Sequence, residues 1–339
     1  MAKNIDTEPI KISLYLKGFL KAIKGYSLLG GCVSLFLWGY FMTFEIFSND
    51  YILKIFIKNN GYSRKCLNLF EKKDESLVFD IHELFQSLNQ NNRIAPIFFN
   101  NVPKTLPNIT NMEVRKSVFI NILLPIIIKV QNEVDTERQK VSYINTKILK
   151  EPLSDEDFKL IRDLAAKYNV KMQDDNFWDY TKALEDLTIR VDIIPFSLVL
   201  AVAAKETGWG SSRFLIEGNS LFAEWVWSES LGIIPTERAA GAKHAVRSFQ
   251  NLEDSVISYY RNLNTHNAYQ GFRLRRYKMR IKKEVMDPVI LANQLSKYST
   301  ETQDYVRNLA LIIRGNKLTV YDKEISLSDD YNSICINMG

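Results

Sequence analysis

The sequence predicts a mainly α-helical protein with one small β region, and three observations carry that reading. Apolar residues recur at helical spacing in most long segments, as in Ile81, Leu84, Phe85 and Leu88. Several segments open on a recognisable cap, such as Ser154 with Asp157 three positions on, or Asn251 with Asp254. Leu221 to Trp227 and Gly232 to Phe249 lose the helical period, and His244 to Phe249 alternates as an edge strand does. A chain of 339 residues with 46% hydrophobic content can hold one large or two ordinary domains around a sizeable core. A charged fraction of 24% argues against wholesale disorder, and a net charge of +5 is too mild for a dedicated nucleic-acid binder. Cys32, Cys66 and Cys335 are too few and too scattered for a disulfide framework or a CxxC metal site. With His82, His244 and His266 as the only histidines, no metal centre and no cofactor are implied.

Taken in order, residues 1–26 hold Lys3, Lys11, Lys17, Lys21 and Lys24 against Asp6 and Glu8. Residues 27–47 are nearly uncharged and about long enough to cross a bilayer. No small-residue cleavage site follows, so the segment reads as an uncleaved signal anchor, and the lysine bias places the N-terminus in the cytoplasm and the remainder outside. Residues 48–76 read as a polar linker with a turn at Asn59-Asn-Gly61. Residues 77–190 read as a helical region. In it the span holding Pro96, Pro103 and Pro107 reads as loop. Val118 to Val130 is too short to span a membrane and reads as the buried part of a helix running through Val134 toward Lys147. Further helices run from Ser154 to about Tyr168, and from the Asp174–Asp179 cap to a point before Asp192.

The stretch Ile194 to Phe214 carries the chemistry. Asp192 reads as the cap of its helix, Pro195 sits where a missing N–H is harmless, and Gly208 and Gly210 end it. Leu198, Val199, Val202 and Ala203 lie on the same stripe as Glu206, which directs a carboxyl group toward packed surroundings. Apolar contact and the negative end of the helix dipole both raise its pKa, and a carboxyl kept protonated near neutrality is what a general acid needs. Glycines and a tryptophan beside an acid suit a sugar cleft. A later helix carries Val256, Tyr259, Tyr260 and Leu263 on one stripe. The basic run Arg273, Arg275, Arg276, Lys278, Arg280, Lys282 and Lys283 reads as a solvated helix face. Asp287-Pro288 opens a helix through Leu291, Leu295 and Tyr298, and Ser299 opens the last one, which buries Tyr305, Leu309, Ile312 and Ile313 and closes at Gly315.

Lys205-Glu206-Thr-Gly-Trp209-Gly210-Ser-Ser-Arg213-Phe214, followed by Glu217-Gly218-Asn219-Ser-Leu221-Phe222-Ala-Glu224-Trp225, resembles the core of the bacterial Bax-like glucosaminidases, part of the wider peptidoglycan glucosaminidase group. The similarity continues through Gly232 to Pro235, Val246 to Phe249, Asp254 to Val256, Tyr259 and Asn262 to Tyr269, and covers roughly residues 80–315. It departs at Ala223, where a glycine is usual, and at Lys205. The resemblance implies a lysozyme-like α+β domain over residues 191–316, with a small β-hairpin lobe as one wall of a sugar cleft and residues 317–339 as a tail. It further implies an endo-β-N-acetylglucosaminidase that cuts peptidoglycan glycan strands at the β-1,4 bond after N-acetylglucosamine. The protein would then be single-pass in the inner membrane with its catalytic domain in the periplasm, and residues 77–190 would be free to recruit envelope proteins.

In that reading Glu206 protonates the leaving oxygen and Tyr269 matches the tyrosine that supports the cleft. A second carboxylate is expected from the lobe, with Glu237 ranked ahead of Glu224 and Glu229 last. With none of these secure, the substrate's own acetamido group is the favoured partner of the acid. Trp209, Phe222 and Trp225 are candidates to stack on sugar or to pack in the core, and His266 to line the cleft or satisfy backbone groups. A catalytically silent wall-binding module and a membrane-anchored scaffold are the alternatives.

Overall fold

A computed structural model describes residues 67–69, 76–89, 92–174, 176–238, 241–295, 302–329 and 333–338. The N-terminal segment 1–26, the expected signal anchor 27–47 and most of the expected 48–76 linker lie outside the described residues. The chain enters at strand β1 (Leu67–Leu69), helix α1 (Ser76–Leu88) and the short strands β2 (Arg93–Ile94) and β3 (Ile97–Phe99). The proline-rich span expected as loop therefore contains two strands and a 3-10 turn at Leu106–Asn108.

Helix α2 (Met112–Lys147) is the axis of the structure, 36 residues and so about 54 Å long. Asn111 caps it by accepting from the backbone N–H groups of Glu113 and Val114. From Val118 to Val130 almost every position is buried, so the apolar run is core on all sides. By length and composition this helix could cross a membrane, yet 72% of its most apolar stretch is buried inside the protein. Its C-terminal half packs Val141 and Ile144 against α3 (Asp155–Lys167) and α4 (Phe177–Arg190), through Ile161, Leu164, Leu184 and Leu187. The Ser154 capping box forms, with Asp157 returning a bond to the Ser154 N–H at 2.8 Å.

Helix α5 (Phe196–Thr207) follows and is buried at ten of its twelve positions. It is thus a fully enclosed rod rather than the striped helix the spacing suggests, and only Lys205 and Glu206 reach partial exposure. Asp192 does not cap it. The cap comes from far along the chain, where Asp322 accepts from Ser197 N at 2.9 Å and from the Ser197 hydroxyl. A carboxylate there answers both the open N–H groups and the positive end of the dipole.

After α6 (Arg213–Gly218) come the strands β4 (Trp225–Val226), β5 (Gly232–Ile233) and β6 (Ala245–Arg247), then α7 (Leu252–Thr265), α8 (Gln270–Ile281), α9 (Pro288–Ala292) and α10 (Thr302–Gly315). The lobe is a three-stranded antiparallel sheet in the order β4-β6-β5, so β6 is the central strand and not an edge. The chain ends in β7 (Ser326–Leu327) and β8 (Ile334–Met338). β8 lies between β1 and β3, parallel to both, in register Leu67 to Ile336 and Ile97 to Ile334. The segment after residue 316 is therefore built into the fold. Cys335 is disulfide-bonded, a bond the scattered cysteines did not suggest, and its partner lies outside the described residues. All described residues belong to one compact unit, 57–339.

The basic run of α8 is not wholly solvated. Arg276 is fully buried, and its guanidinium donates to the carbonyls of Asp192, Ile193 and Arg190 at 3.1, 3.2 and 3.1 Å. Arg273 is also buried and donates to the Leu263 and His266 carbonyls, which closes the end of α7. Asp192 sits beneath this group, paired with Arg280 and within 3.8 Å of Arg276 Nε. Arg276→Leu is expected to lower unfolding stability by about 3–5 kcal/mol, since it strands several helix-end carbonyls and weakens the compensation of a buried carboxylate. A chemical-denaturation midpoint unchanged from wild type would contradict this account.

Candidate active site

Glu206 occupies the last turn of α5, where the helix must end sharply. Gly208 adopts φ +56°, Trp209 φ +58° and Gly210 φ +89°, three consecutive residues in the left-handed region. At Gly210 an added Cβ would lie 2.6 Å from Leu106 Cδ2 and 3.2 Å from Phe119 Cδ2, so only glycine lets the turn press against the helical half. Trp209 meets Phe119 edge-on at 5.9 Å, with Lys116 Nζ 5.5 Å over its ring. It is a half-buried clamp that fixes the turn beside the acid.

Burial raises the Glu206 pKa, while a hydrogen bond from Tyr305 and the Lys205 charge oppose the shift. Position at the C-terminal end of a helix acts in the same direction as burial. Tyr305, on α10, is 1% exposed, and Lys205 Nζ lies 5.3 Å over its ring.

A second carboxyl group comes from the β lobe. Glu224 precedes β4 directly, and burial raises its pKa too. The Ser258 hydroxyl on α7 donates to both of its oxygens, at 3.0 and 2.8 Å, and Arg247 of β6 approaches to 3.5 Å. These partners oppose burial and hold the carboxyl in place. Ala223, just before it, has φ +49°, which explains a preference for glycine there and costs about 1–2 kcal/mol.

Three buried tyrosines feel one or other of the two carboxyl groups. Tyr269 is 7% exposed, and its phenol is pushed up to about 12, by burial first and then by the Glu224 charge. Tyr305 is raised by burial, then by Glu206, Tyr259 and Tyr269. Tyr259 is raised well above the usual range by burial, with Tyr269 and Glu206 adding to it. Glu206, Tyr305, Tyr259, Tyr269 and Glu224 are thus electrostatic neighbours in one patch.

The other sequence candidates fall elsewhere. Glu237 is exposed, and Glu229 is exposed and paired with Arg238 at 2.6 Å. Phe222 is 2% exposed and stacks on Tyr259 at 4.0 Å with an interplanar angle of 9°, so its ring backs the site and has no face for sugar. His266 is exposed, but its Nδ1 accepts from Ala268 N and caps the turn that carries Tyr269. Trp225 is 60% exposed on the lobe. Tyr305, Tyr259, Ser258 and Arg247 were not singled out as site residues from the sequence. Tyr259 and Tyr305 stood out as phenols on buried stripes, Arg247 and Tyr259 fell within the stretches of resemblance, and Ser258 carried no signal. Among the described residues no cluster of His, Cys, Asp or Glu could hold a metal ion. A groove of about 360 Å³ in the helical half, between Arg162, Val170, Met172 and Asp174, involves none of these groups.

Glu206 at a helix end and Glu224 on the β lobe are both half-enclosed carboxyl groups whose pKa burial raises. Residues 181–318 match the Glucosaminidase family model, described as mannosyl-glycoprotein endo-β-N-acetylglucosaminidase. The chain is 28% identical over 205 residues to Protein bax of Escherichia coli (strain K12), covering 60% of this chain and 70% of that one. The glucosaminidase-model match over 181–318 and the similarity to Protein bax together support the resemblance to the Bax-like glucosaminidases. No solved structure matches it.

Proposed function

We propose that this protein is a membrane-anchored peptidoglycan hydrolase with a lysozyme-like catalytic domain, which cleaves the β-1,4 bond after N-acetylglucosamine. The observation that carries the proposal is the pair Glu206 and Glu224, both buried enough to raise their pKa and joined by one patch of tyrosines. Glu206 is the general acid that protonates the leaving oxygen. Glu224, rather than Glu237, supplies the negative charge that the oxocarbenium-like centre requires, and Ser258 and Arg247 favour its ionised form. Tyr269, whose phenol the Glu224 charge helps to push up, supports that carboxyl. Digestion of purified sacculi followed by mass spectrometry tests the bond cut: reducing-end N-acetylglucosamine supports the proposal, and reducing-end N-acetylmuramic acid or an anhydro end defeats it.

An extracytoplasmic site is supported by the lysine bias ahead of the apolar segment 27–47 and by the disulfide at Cys335, since such bonds persist in oxidising compartments. A phosphatase reporter fused after residue 60 is expected to be active, and activity confined to cytoplasmic reporters would refute the topology.

The general acid must be protonated, so activity falls as pH rises through the folded-state pKa of Glu206. Tyr305 donates to that carboxyl and lowers its pKa. Tyr305→Phe is therefore expected to move the alkaline limb of kcat/KM to higher pH and leave the acid limb in place. A limb that does not move, in a variant that melts like wild type, would detach Tyr305 from the acid.

A further inference from the structure

The β lobe carries an aromatic surface that the carboxyl pair does not use. Trp225 pairs with Val246 and Val226 with Ala245, and the next backbone bond runs from Arg247 N to Glu224 O at 2.7 Å. Side chains alternate along an extended strand, so Trp225 and Trp227 take one face of the ribbon while Glu224 and Val226 take the other. His244 joins the tryptophan face. Its ring stacks on Trp225 at 4.5 Å and 12°, and meets Trp227 at 6.3 Å and 77°. The three rings form a corner, with one flat wall and one upright wall, held by mutual contact. Trp225 and Trp227 nonetheless remain 60% and 75% exposed.

Large aromatic faces fixed open to water mark a binding surface, because their burial on binding costs little further ordering. The rim is polar. Ser228 and Ser230 share a hydrogen bond at 2.9 Å, and Lys243 is exposed beside His244. Flat apolar rings with hydroxyl and ammonium groups at their edge fit the C–H face of a pyranose and the carboxylates of a wall polymer. A lipid surface would favour an unbroken apolar patch.

We infer that Trp225, His244 and Trp227 form a glycan-binding platform on the face of the lobe opposite Glu224, which takes N-acetylhexosamine units of a polymer strand outside the catalytic centre. The platform is continuous in sequence with the carboxyl pair through Glu224-Trp225, so a strand held there stays tethered while another segment is cut. The inference rests on the wall-glycan reading of the substrate but not on Glu206 as the acid.

The test uses full-length Glu206→Gln protein in detergent, so that binding is read without turnover, with purified sacculi and the N-acetylglucosamine hexamer as probes. Each of Trp225→Ala and Trp227→Ala is expected to weaken hexamer affinity on the order of tenfold, and Trp227→Phe by less than about threefold. Retention on sacculi should fall in step. Unchanged retention in the double alanine variant overturns the platform. A loss confined to vesicles of phosphatidylglycerol also overturns it and makes the patch a membrane contact. If the double variant melts early, the contrast between Trp227→Ala and Trp227→Phe decides. Loss of binding in the tryptophan variants, together with continued cleavage by Glu206→Gln, leaves the platform standing and removes Glu206 as the acid. Failure of the Glu206→Gln parent to bind either probe defeats both readings.

Discussion

Glu206→Gln is expected to lower glycan cleavage by on the order of 10²–10⁴-fold, the usual worth of a positioned proton donor. Glutamine keeps the volume of the side chain and can still accept from Tyr305, so the last turn of α5 and its packing persist. What it lacks is a proton to give to the glycosidic oxygen. The stability expectation follows from the raised pKa. A carboxyl whose folded-state pKa lies above its unfolded value adds stability below the unfolded pKa, and that contribution is lost as pH rises through the folded pKa. Above that point wild type carries a poorly solvated charge, and the glutamine variant does not. The variant should therefore melt at or above the wild-type temperature at neutral pH. Cleavage of sacculi at a comparable rate by a variant that melts normally would show that Glu206 is not the acid.

The helices and their caps were legible because they depend on neighbours in sequence. Ser154, Asn251 and, within the 174–179 cap, Asn176 each accept from the backbone N–H three residues on, which local spacing can reveal. What depends on distant partners was not legible. β1, β3 and β8 are three to five residues long, and they pair in parallel across more than two hundred positions, too short for a period and too far apart for a turn signal. The cap of α5 comes from Asp322, 125 residues downstream, and nothing local distinguishes that aspartate from a surface one. Arg273 and Arg276 sit in a run of seven basic residues, a pattern that reads as solvated until the carbonyls they serve are placed beside them. Glu206 was readable as a carboxyl in packed surroundings from the apolar helix and the Gly-Trp-Gly that ends it. The second carboxyl was not, because three glutamates share the lobe and only the fold brings Ser258 and Arg247 to one of them.

That selection makes Glu224→Gln the sharpest comparison. Its two oxygens share the proton of one serine hydroxyl and face an arginine, whereas Glu237 is exposed and Glu229 is spent on Arg238. Removing the charge while keeping the shape is expected to cost about 10²–10³-fold in kcat, the scale seen when one preorganised electrostatic group is lost from a reacting centre. Substrate binding should change far less, since the charge is needed where positive character develops on the sugar ring rather than in the ground state. Glu237→Gln and Glu229→Gln should stay within about threefold of wild type, as ordinary surface changes do. On the proposed mechanism the two acids serve one bond, so the double variant Glu206→Gln/Glu224→Gln should be scarcely slower than the worse single variant. Tyr269→Phe should fall between these extremes, since it removes one hydroxyl that feels the Glu224 charge and leaves that charge in place. A Glu224→Gln enzyme that keeps its kcat while Glu237→Gln loses it would move the second role to the exposed loop. The burial, the serine and the arginine around Glu224 would then have to be purely structural.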